Sequence, residues 1–457
     1  MTVKFGTSGL RGLVTGMTPA LITAHVQAFV ASCDTGGILC VGQDLRPSSP
    51  RIAGDVMAAA RTMGCRVIDC GALPTPALAL AAQAAGGGAV MVTGSHIPAD
   101  RNGLKFYTKT GEISKADEAA ILTHLTDTHP VADPPGTLET ETQAADAYIA
   151  RYMEAFGQGA LKGQRIGVYT HSAVGRDDLM QILTGLGAQV VELGRSGHFI
   201  PVDTEAVDPA TRAQIVDWVT AHSLDALVSI DGDSDRPLLA DETGRVVPGD
   251  ILGQITAQAL GAEIIATPIS SNSGVTRKGF KEVKLTQIGS PYVIAAMESA
   301  KGRVIGYEAN GGFLLGFDAM GPAGPLTALV TRDCTLPIVM TLYAGRRGGI
   351  AARAAQEPPV VTVADRLQEI DQTKSTALLA QWQKDPAARA AFLAPLDKTE
   401  RSMDLTDGLR LTLADGDVIH IRPSGNAPEL RLYIETNDLV TAENLLGLAL
   451  KNLKAAL

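Results

Sequence analysis

The chain has 457 residues, 45% of them hydrophobic, with 39 lysines and arginines against 49 aspartates and glutamates and a formal net charge of −10. A single hydrophobic core rarely serves such a length, so roughly three or four domains are expected. The acidic balance argues against nucleic acid or an anionic membrane as partner, but not against a small phosphorylated ligand, which needs only local cations.

Strand-like and helix-like segments alternate through the first third. Residues 37–41 (GILCV) read as a buried strand ending at Gln43 and Asp44, 50–63 as a helix opening on proline, and 66–70 as a second strand. Residues 76–85 read as an alanine-rich helix and 89–92 as a third strand, with Ser95 just beyond it. No charged residue lies between Asp69 and Asp100, histidine being counted neutral. A membrane span needs about 20 apolar residues in one helix. Pro74, Pro76 and Gly86-Gly87-Gly88 interrupt any such helix, so the run reads as buried strand, helix and strand. The N-terminal residues show no secretory hydrophobic region. Five cysteines, an odd number without metal-ligand spacing, read as reduced thiols in a cytoplasmic protein, with Cys65 and Cys70 a buried small-residue pair.

The order of elements then recurs. Strands are expected at 165–169, 190–193 and 226–230, with Asp231 after the last, and again at 264–267, 283–285 and 304–307, with Glu308 after the last. Beyond 400 the pattern changes to antiparallel strands at 409–413, 418–422 and 430–434, the first two joined by a turn at Asp415-Gly416-Asp417, and a closing helix at 440–453. Breaks fall near Pro134-Pro135-Gly136, around 241–249 and near Pro358-Pro359, and the Gly/Ala/Arg-rich stretch 344–355 reads as a linker or a helix end. The expected fold is α/β: three successive mixed-sheet α/β domains of related topology (1–145, 146–245, 246–358), then a C-terminal α+β domain with an antiparallel sheet (359–457).

Four loops carry chemistry. Phe5-Gly6-Thr7-Ser8-Gly9-Leu10-Arg11-Gly12 lets backbone amides approach an anion and adds a guanidinium. Thr93-Gly94-Ser95-His96-Ile97-Pro98 offers a hydroxyl beyond a strand end, where functional groups gather in such sheets. Asp231-Gly232-Asp233-Ser234-Asp235-Arg236-Pro237 offers three carboxylates at alternate positions, which in an extended loop face one point and suit a hard divalent cation. Arg422-Pro423-Ser424-Gly425-Asn426, with Arg431 nearby, suits a terminal phosphate. A hydroxyl able to carry phosphate and a carboxylate cage for a cation are the equipment of metal-assisted phosphoryl transfer.

With these four loops in this order, essentially the whole chain resembles the α-D-phosphohexomutases, which include phosphomannomutase/phosphoglucomutase and phosphoglucosamine mutase. The resemblance implies that Ser95 is the phosphorylated serine and that Asp231, Asp233 and Asp235 hold Mg2+, a phosphoserine oxygen completing the site. It implies that Glu308 in Gly306-Tyr307-Glu308-Ala309-Asn310-Gly311-Gly312 contacts the sugar, Asn310 beside it. Arg422, Ser424, Gly425 and Asn426 become the distal phosphate clamp; Arg11, His96, Lys105 and Arg236 match positions near the transferring phosphate, and Thr7, Ser8 and Arg431 join the substrate-binding set. Three departures stand out. Asn310 replaces the usual serine, Asn426-Ala427 replaces Thr-Glu, and Gln287-Ile288-Gly289-Ser290 supplies neither the lysine nor the histidine found in some members.

The implied reaction is Mg2+-dependent interconversion of hexose 6-phosphate and hexose 1-phosphate, mannose and glucose first, through a hexose 1,6-bisphosphate that also serves as activator. His96 and Lys105 are both candidates for general acid–base roles. Partners are small hexose phosphates, and the protein is a monomer or homodimer. Competing readings are a phosphoglucosamine mutase, an aspartyl-phosphate phosphatase with Asp231 as nucleophile, and a non-catalytic phosphosugar-binding protein.

Overall fold

Four large sheets and a two-stranded one, Ala319–Met320 with Pro325–Leu326, are found in the computed structural model, which describes residues 3–6, 9–423 and 429–457. The first three repeat one plan. In the first, Arg66–Ala72, Ile38–Gln43 and Gly88–Val92 run parallel in that spatial order, and Arg101–Thr108 joins Gly88–Val92 antiparallel. In the second the corresponding strands are Gln189–Leu193, Arg165–Tyr169, Ala226–Ile230 and the antiparallel Pro237–Ala240. In the third they are Glu282–Thr286, Ile264–Pro268, Val304–Tyr307 and the antiparallel Phe313–Leu315. Each sheet therefore places one loop between its third parallel strand and the strand that returns beside it. Those loops carry Ser95, Asp231 and Glu308. The third strands, Gly88–Val92, Ala226–Ile230 and Val304–Tyr307, are buried along their whole length, as expected for sheets covered on both faces.

The expected strands lie within a residue or two of those observed. The first sheet continues past the expected break at Pro134-Pro135-Gly136, because Leu138–Thr140 adds to its edge beside Arg66–Ala72. Residues 344–355 hold the end of the helix Thr335–Gly345 and the short helix Ile350–Ala354. The last sheet is antiparallel throughout, in the order Val361–Gln368, Glu429–Thr436, Val418–Pro423, Leu409–Leu413, Glu400–Asp404, and the helix Leu439–Ala456 packs on it, capped by Asp438 through the N–H of Thr441.

One hydrophobic cluster runs through the first three units, from Cys40 and Met91 through Tyr148, Ile166 and Val228 to Ile265, Ile305 and Leu336. The C-terminal sheet has its own core around Leu409, Ile421, Leu432 and Leu453. All five cysteines are free. Cys70 packs with Cys40 in the shared cluster, whereas Cys65 belongs to a separate core within the first unit, so Cys65 and Cys70 are both buried but do not form one pair. Among the described residues no helix is long and apolar enough to cross a membrane.

Candidate active site

The strand Gly88–Val92 delivers Thr93-Gly94-Ser95 against the loop that carries Asp231, and the chain turns at once. Ser95 takes a left-handed φ of 52°, and its N–H donates to Thr93 Oγ1 at 2.8 Å. Its side chain is fully buried. Ser95 Oγ donates to Asp231 Oδ2 at 2.6 Å and lies 3.3 Å from His96 Nδ1. The two loops are packed backbone to backbone: a Cβ on Gly232 would lie 2.7 Å from the Ser95 carbonyl oxygen, so only glycine fits there.

The aspartate loop is a tight turn rather than an extended segment. Ser234 sits at φ 62°, its Oγ accepts from Gly175 N at 2.9 Å, and Asp231 Oδ1 accepts from the N–H groups of Asp235 and Arg236 at 3.0 and 3.1 Å. This folding brings oxygens of Asp231, Asp233 and Asp235, all fully buried, within 4.8 Å of one another. Thr75 Oγ1 and Lys105 Nζ reach Asp233 Oδ2 at 2.6 and 2.5 Å, and Lys105 Nζ also contacts Asp235 Oδ2. Burial and repulsion from Asp233 and Asp235 push the Asp231 carboxyl up to about 8. Burial acts on Asp233 in the same sense, but Lys105, Thr75 and Arg332 outweigh it and hold that carboxyl below the ordinary range. Oδ1 of Asp233 and Oδ1 of Asp235 are buried and take no hydrogen bond. Orphaned carboxylate oxygens in an all-oxygen cluster fit a hard divalent cation such as Mg2+.

Arg236, Arg11 and Arg332 border this centre. Arg236 Nη1 lies 3.2 Å from His96 Nδ1, and Arg236 Nε 3.7 Å from Asp235 Oδ1. Burial and Arg236 push His96 down to about 3, leaving a neutral imidazole at neutral pH. Arg11, on the strand Leu10–Leu13 beside Arg101–Thr108, is lowered to about 10 by burial and by Arg236 and Arg332.

The third loop turns through Glu308–Gly312, with Glu308 N donating to Gly312 O at 3.1 Å. Asn310 Oδ1 accepts from Gly312 N at 3.0 Å, so its amide oxygen shapes the loop. The Asn310 carbonyl accepts from Thr204 Oγ1 of the second unit at 3.2 Å. Glu308 Oε2 is buried and takes no hydrogen bond. On the C-terminal sheet, Arg422 and Arg431 stand opposite each other on neighbouring strands, and Arg422 Nε donates to Asp407 Oδ1 at 3.3 Å. Glu205 lies within electrostatic reach of Arg236, Arg431 and Glu308, which brings Arg431 of the last unit to the side where the second and third loops meet. Residues 287–290 reach the last unit through the backbone, Ile288 N donating to Asp407 Oδ2 at 2.9 Å. Thr7, Ser8, Ser424, Gly425 and Asn426 lie outside the described residues.

Family models for phosphoglucomutase/phosphomannomutase match this chain at residues 2–131 (domain I), 146–244 (domain II) and 365–447 (C-terminal domain). A phosphomannomutase of Sinorhizobium fredii is 45% identical over 99% of both chains, and one of Salmonella muenchen is 41% identical over 100% of this chain and 96% of that protein. The chain belongs to the phosphoglucomutase/phosphomannomutase family. It is accordingly a hexose-phosphate mutase, an intramolecular phosphotransferase. A family protein of Burkholderia thailandensis shares the fold at a TM-score of 0.80 and 19% identity, covering 100% of this chain and 98% of that one.

Three contributors to this mutase crevice escaped the sequence reading. Arg46, paired with Asp44 at 3.1 Å, donates to the carbonyls of Ser95 (2.8 Å), Ile97 (2.6 Å), Pro98 (2.7 Å) and Arg101 (3.0 Å), and so fixes the serine loop. Arg332 reaches Asp235, and the segment Asp203-Thr204-Glu205 reaches the sugar loop and the cations. A usable signal existed for the first two: Asp44 and Arg46 follow a strand of the same sheet as Ser95, and Thr331-Arg332-Asp333 is a polar triplet closing the strand Leu329–Asp333 of the third sheet.

Proposed function

We propose that this mutase interconverts hexose 6-phosphate and hexose 1-phosphate, mannose phosphates and glucose phosphates first, through a phosphoserine at Ser95 and a hexose 1,6-bisphosphate. The observation that carries this reading is Ser95 Oγ at 2.6 Å from Asp231 Oδ2, at the edge of the three-carboxylate cluster. The preference for mannose phosphates draws support from the relatives: those at 45% and 41% identity are phosphomannomutases, whereas a phosphoglucosamine mutase of Symbiobacterium thermophilum is 27% identical.

In this reading Asp231, Asp233 and Asp235, with an oxygen of phosphorylated Ser95, hold Mg2+, which when bound neutralises the carboxylates and polarises the phosphoryl group. The P–Oγ bond of Ser95 breaks as a P–O bond forms to a free sugar hydroxyl; the hydroxyl proton leaves and Ser95 Oγ regains one. His96, neutral and 3.3 Å from Oγ, and Lys105 are the groups proposed to move those protons. Arg11 and Arg236 balance the charge of the phosphoryl group. Glu308 and Asn310 read sugar hydroxyls. Arg422 and Arg431, with Thr7, Ser8, Ser424, Gly425 and Asn426, hold phosphate. The bisphosphate turns and returns its other phosphate to Ser95. Four domains bounded at 1–145, 146–245, 246–358 and 359–457 carry these parts, and free thiols suit a cytoplasmic setting.

The test is a panel of mannose, glucose and glucosamine 1-phosphates with hexose 1,6-bisphosphate and Mg2+, run on the wild type and Ser95→Ala, alongside intact-protein mass spectrometry. A hydroxylamine-stable phosphate on the wild type alone is expected, with turnover lost by several orders of magnitude in the variant. Near-normal turnover by Ser95→Ala would refute the assignment.

A further inference from the structure

Arg332 has no part in the chemistry above, yet its side chain is only 2% exposed and touches all three of the repeated units. Nη2 lies 3.1 Å from Asp235 Oδ2 in the metal loop, Nη1 lies 3.7 Å from Glu308 Oε2 in the sugar loop, and Nε lies 4.0 Å from Glu112 Oε1 of the first unit. The sugar loop is moulded over the arginine stem: a Cβ on Gly312 would lie 2.8 Å from both Cγ and Cδ of Arg332. Its backbone is pinned by the next residue. Buried Asp333 accepts from Tyr148 Oη at 2.6 Å, from Tyr152 Oη and from Thr335 N at 2.9 Å. Arg332 therefore stands where neither loop can adjust without it.

We propose that Arg332 is a positioning residue that couples the carboxylate cluster to sugar recognition. Its planar fork presents Nη1 and Nη2 to two carboxylates in a fixed geometry, whereas a lysine offers one point charge on a flexible stem. With the cluster empty of a divalent cation, Asp235 and Glu308 compete for one guanidinium. With a cation bound, Asp235 shares its charge with that cation, and the pull of Arg332 falls on Glu308, fixing the carboxylate that faces the sugar. Mg2+ and the hexose phosphate then strengthen each other's binding, and the coupling is reciprocal. The roles given to Glu308 and the cluster rest on the mutase reading.

Calorimetry on dephosphorylated protein without hexose 1,6-bisphosphate, where Ser95 stays in place and no phosphoryl transfer intervenes, tests this. Binding of mannose 1-phosphate is measured with and without Mg2+, and Mg2+ binding alone is measured in parallel. With Arg332 present, Mg2+ should tighten sugar-phosphate binding by roughly 5- to 50-fold. Arg332→Met should bring that factor close to one, and Arg332→Lys should restore Mg2+ affinity toward normal without restoring the coupling. Glu308→Gln should add little to Arg332→Met, because both remove the same link. An unchanged Mg2+ effect in Arg332→Met, or full additivity with Glu308→Gln, would overturn the proposal. Should Arg332→Met fail to fold, Glu308→Gln alone must lose the Mg2+ effect, and its persistence would be equally fatal. Failure of the mutase reading would show separately, as absence of wild-type turnover on the sugar panel.

Discussion

Replacing Arg46 with methionine separates the stability of the serine loop from its aim. The guanidinium is buried, makes four hydrogen bonds to carbonyls of residues 95–101 and pairs with Asp44, whose carboxylate also accepts from Ser49 Oγ at 2.6 Å and Thr93 Oγ1 at 2.8 Å. Removing one partner of a buried pair costs about 3–5 kcal/mol, because the other charge stays buried and uncompensated. Arg46→Met should thus lower stability by that amount in urea denaturation. Adding Asp44→Asn removes the stranded charge and should recover part of the loss. Activity should follow a different course. The carbonyls of Ser95 and Ile97 lose their anchor in both variants, and a shift of about 1 Å in a reacting group can cost roughly 100-fold in rate. Both variants should therefore show kcat reduced about 100-fold with KM changed little, measured on mannose 1-phosphate. If kcat recovered together with stability in the double variant, Arg46 would be a stability element without a positioning role.

Three further outcomes are expected. Arg422→Ala should weaken hexose-phosphate binding by about ten- to hundredfold, the range for a lost charge-assisted contact, and release more free bisphosphate per turnover while leaving Mg2+ binding unchanged in titration. Asn310→Ser should keep the loop, since a serine hydroxyl can also accept from Gly312 N, but change the mannose-to-glucose ratio of kcat/KM roughly tenfold; equal effects on both sugars would exclude a specificity role. Asp250 is buried, near Glu435 and Glu205, and its carboxyl is raised from its ordinary 3.8 to about 7, with Asn272 N donating to Oδ2 at 2.7 Å. Between those values the folded protein keeps a proton that the unfolded chain has lost. Stability from this group should fall as pH rises through the window, by up to ~1.4 kcal/mol per unit, and Asp250→Asn should gain in Tm over wild type from pH 5 to pH 8.

Much of this architecture could be read in the chain because the signals are local. Residues 226–230 and 304–307 are largely apolar runs bounded by polar residues, 409–413 alternates apolar and polar, and each is a strand with those limits. Asp231 and Glu308 directly follow such runs, and Ser95 lies three residues beyond the apolar strand Gly88–Val92, so the positions of all three could be singled out. Arg46 and Arg332 offered only their strand-end positions and Thr204 not even that, because the loop carbonyls that Arg46 holds, Asp235 for Arg332 and Asn310 for Thr204 lie 49–55, 97 and 106 residues away and no period connects them. The shape of the aspartate loop was misread for a related reason: alternate spacing suggests an extended chain, but Ser234 turns left-handed and Gly175, 59 residues away, holds it there. Leu138–Thr140 was hidden by its exposure, since an edge strand with no buried residue carries no hydrophobic pattern.

The recurrence of one loop position in three sheets divides labour among copies of one scaffold. Under the proposed function the first copy would hold the nucleophile Ser95, the second holds the carboxylate cluster, and the third would supply the sugar contacts. A substitution in the third copy's loop can alter which sugar is accepted without displacing the atoms that break and form the P–O bond. Substrate range is thus the trait most free to drift in such a molecule, while the transfer step stays fixed. The exception is any residue that touches more than one copy, and those positions should resist change longest as specificity diverges.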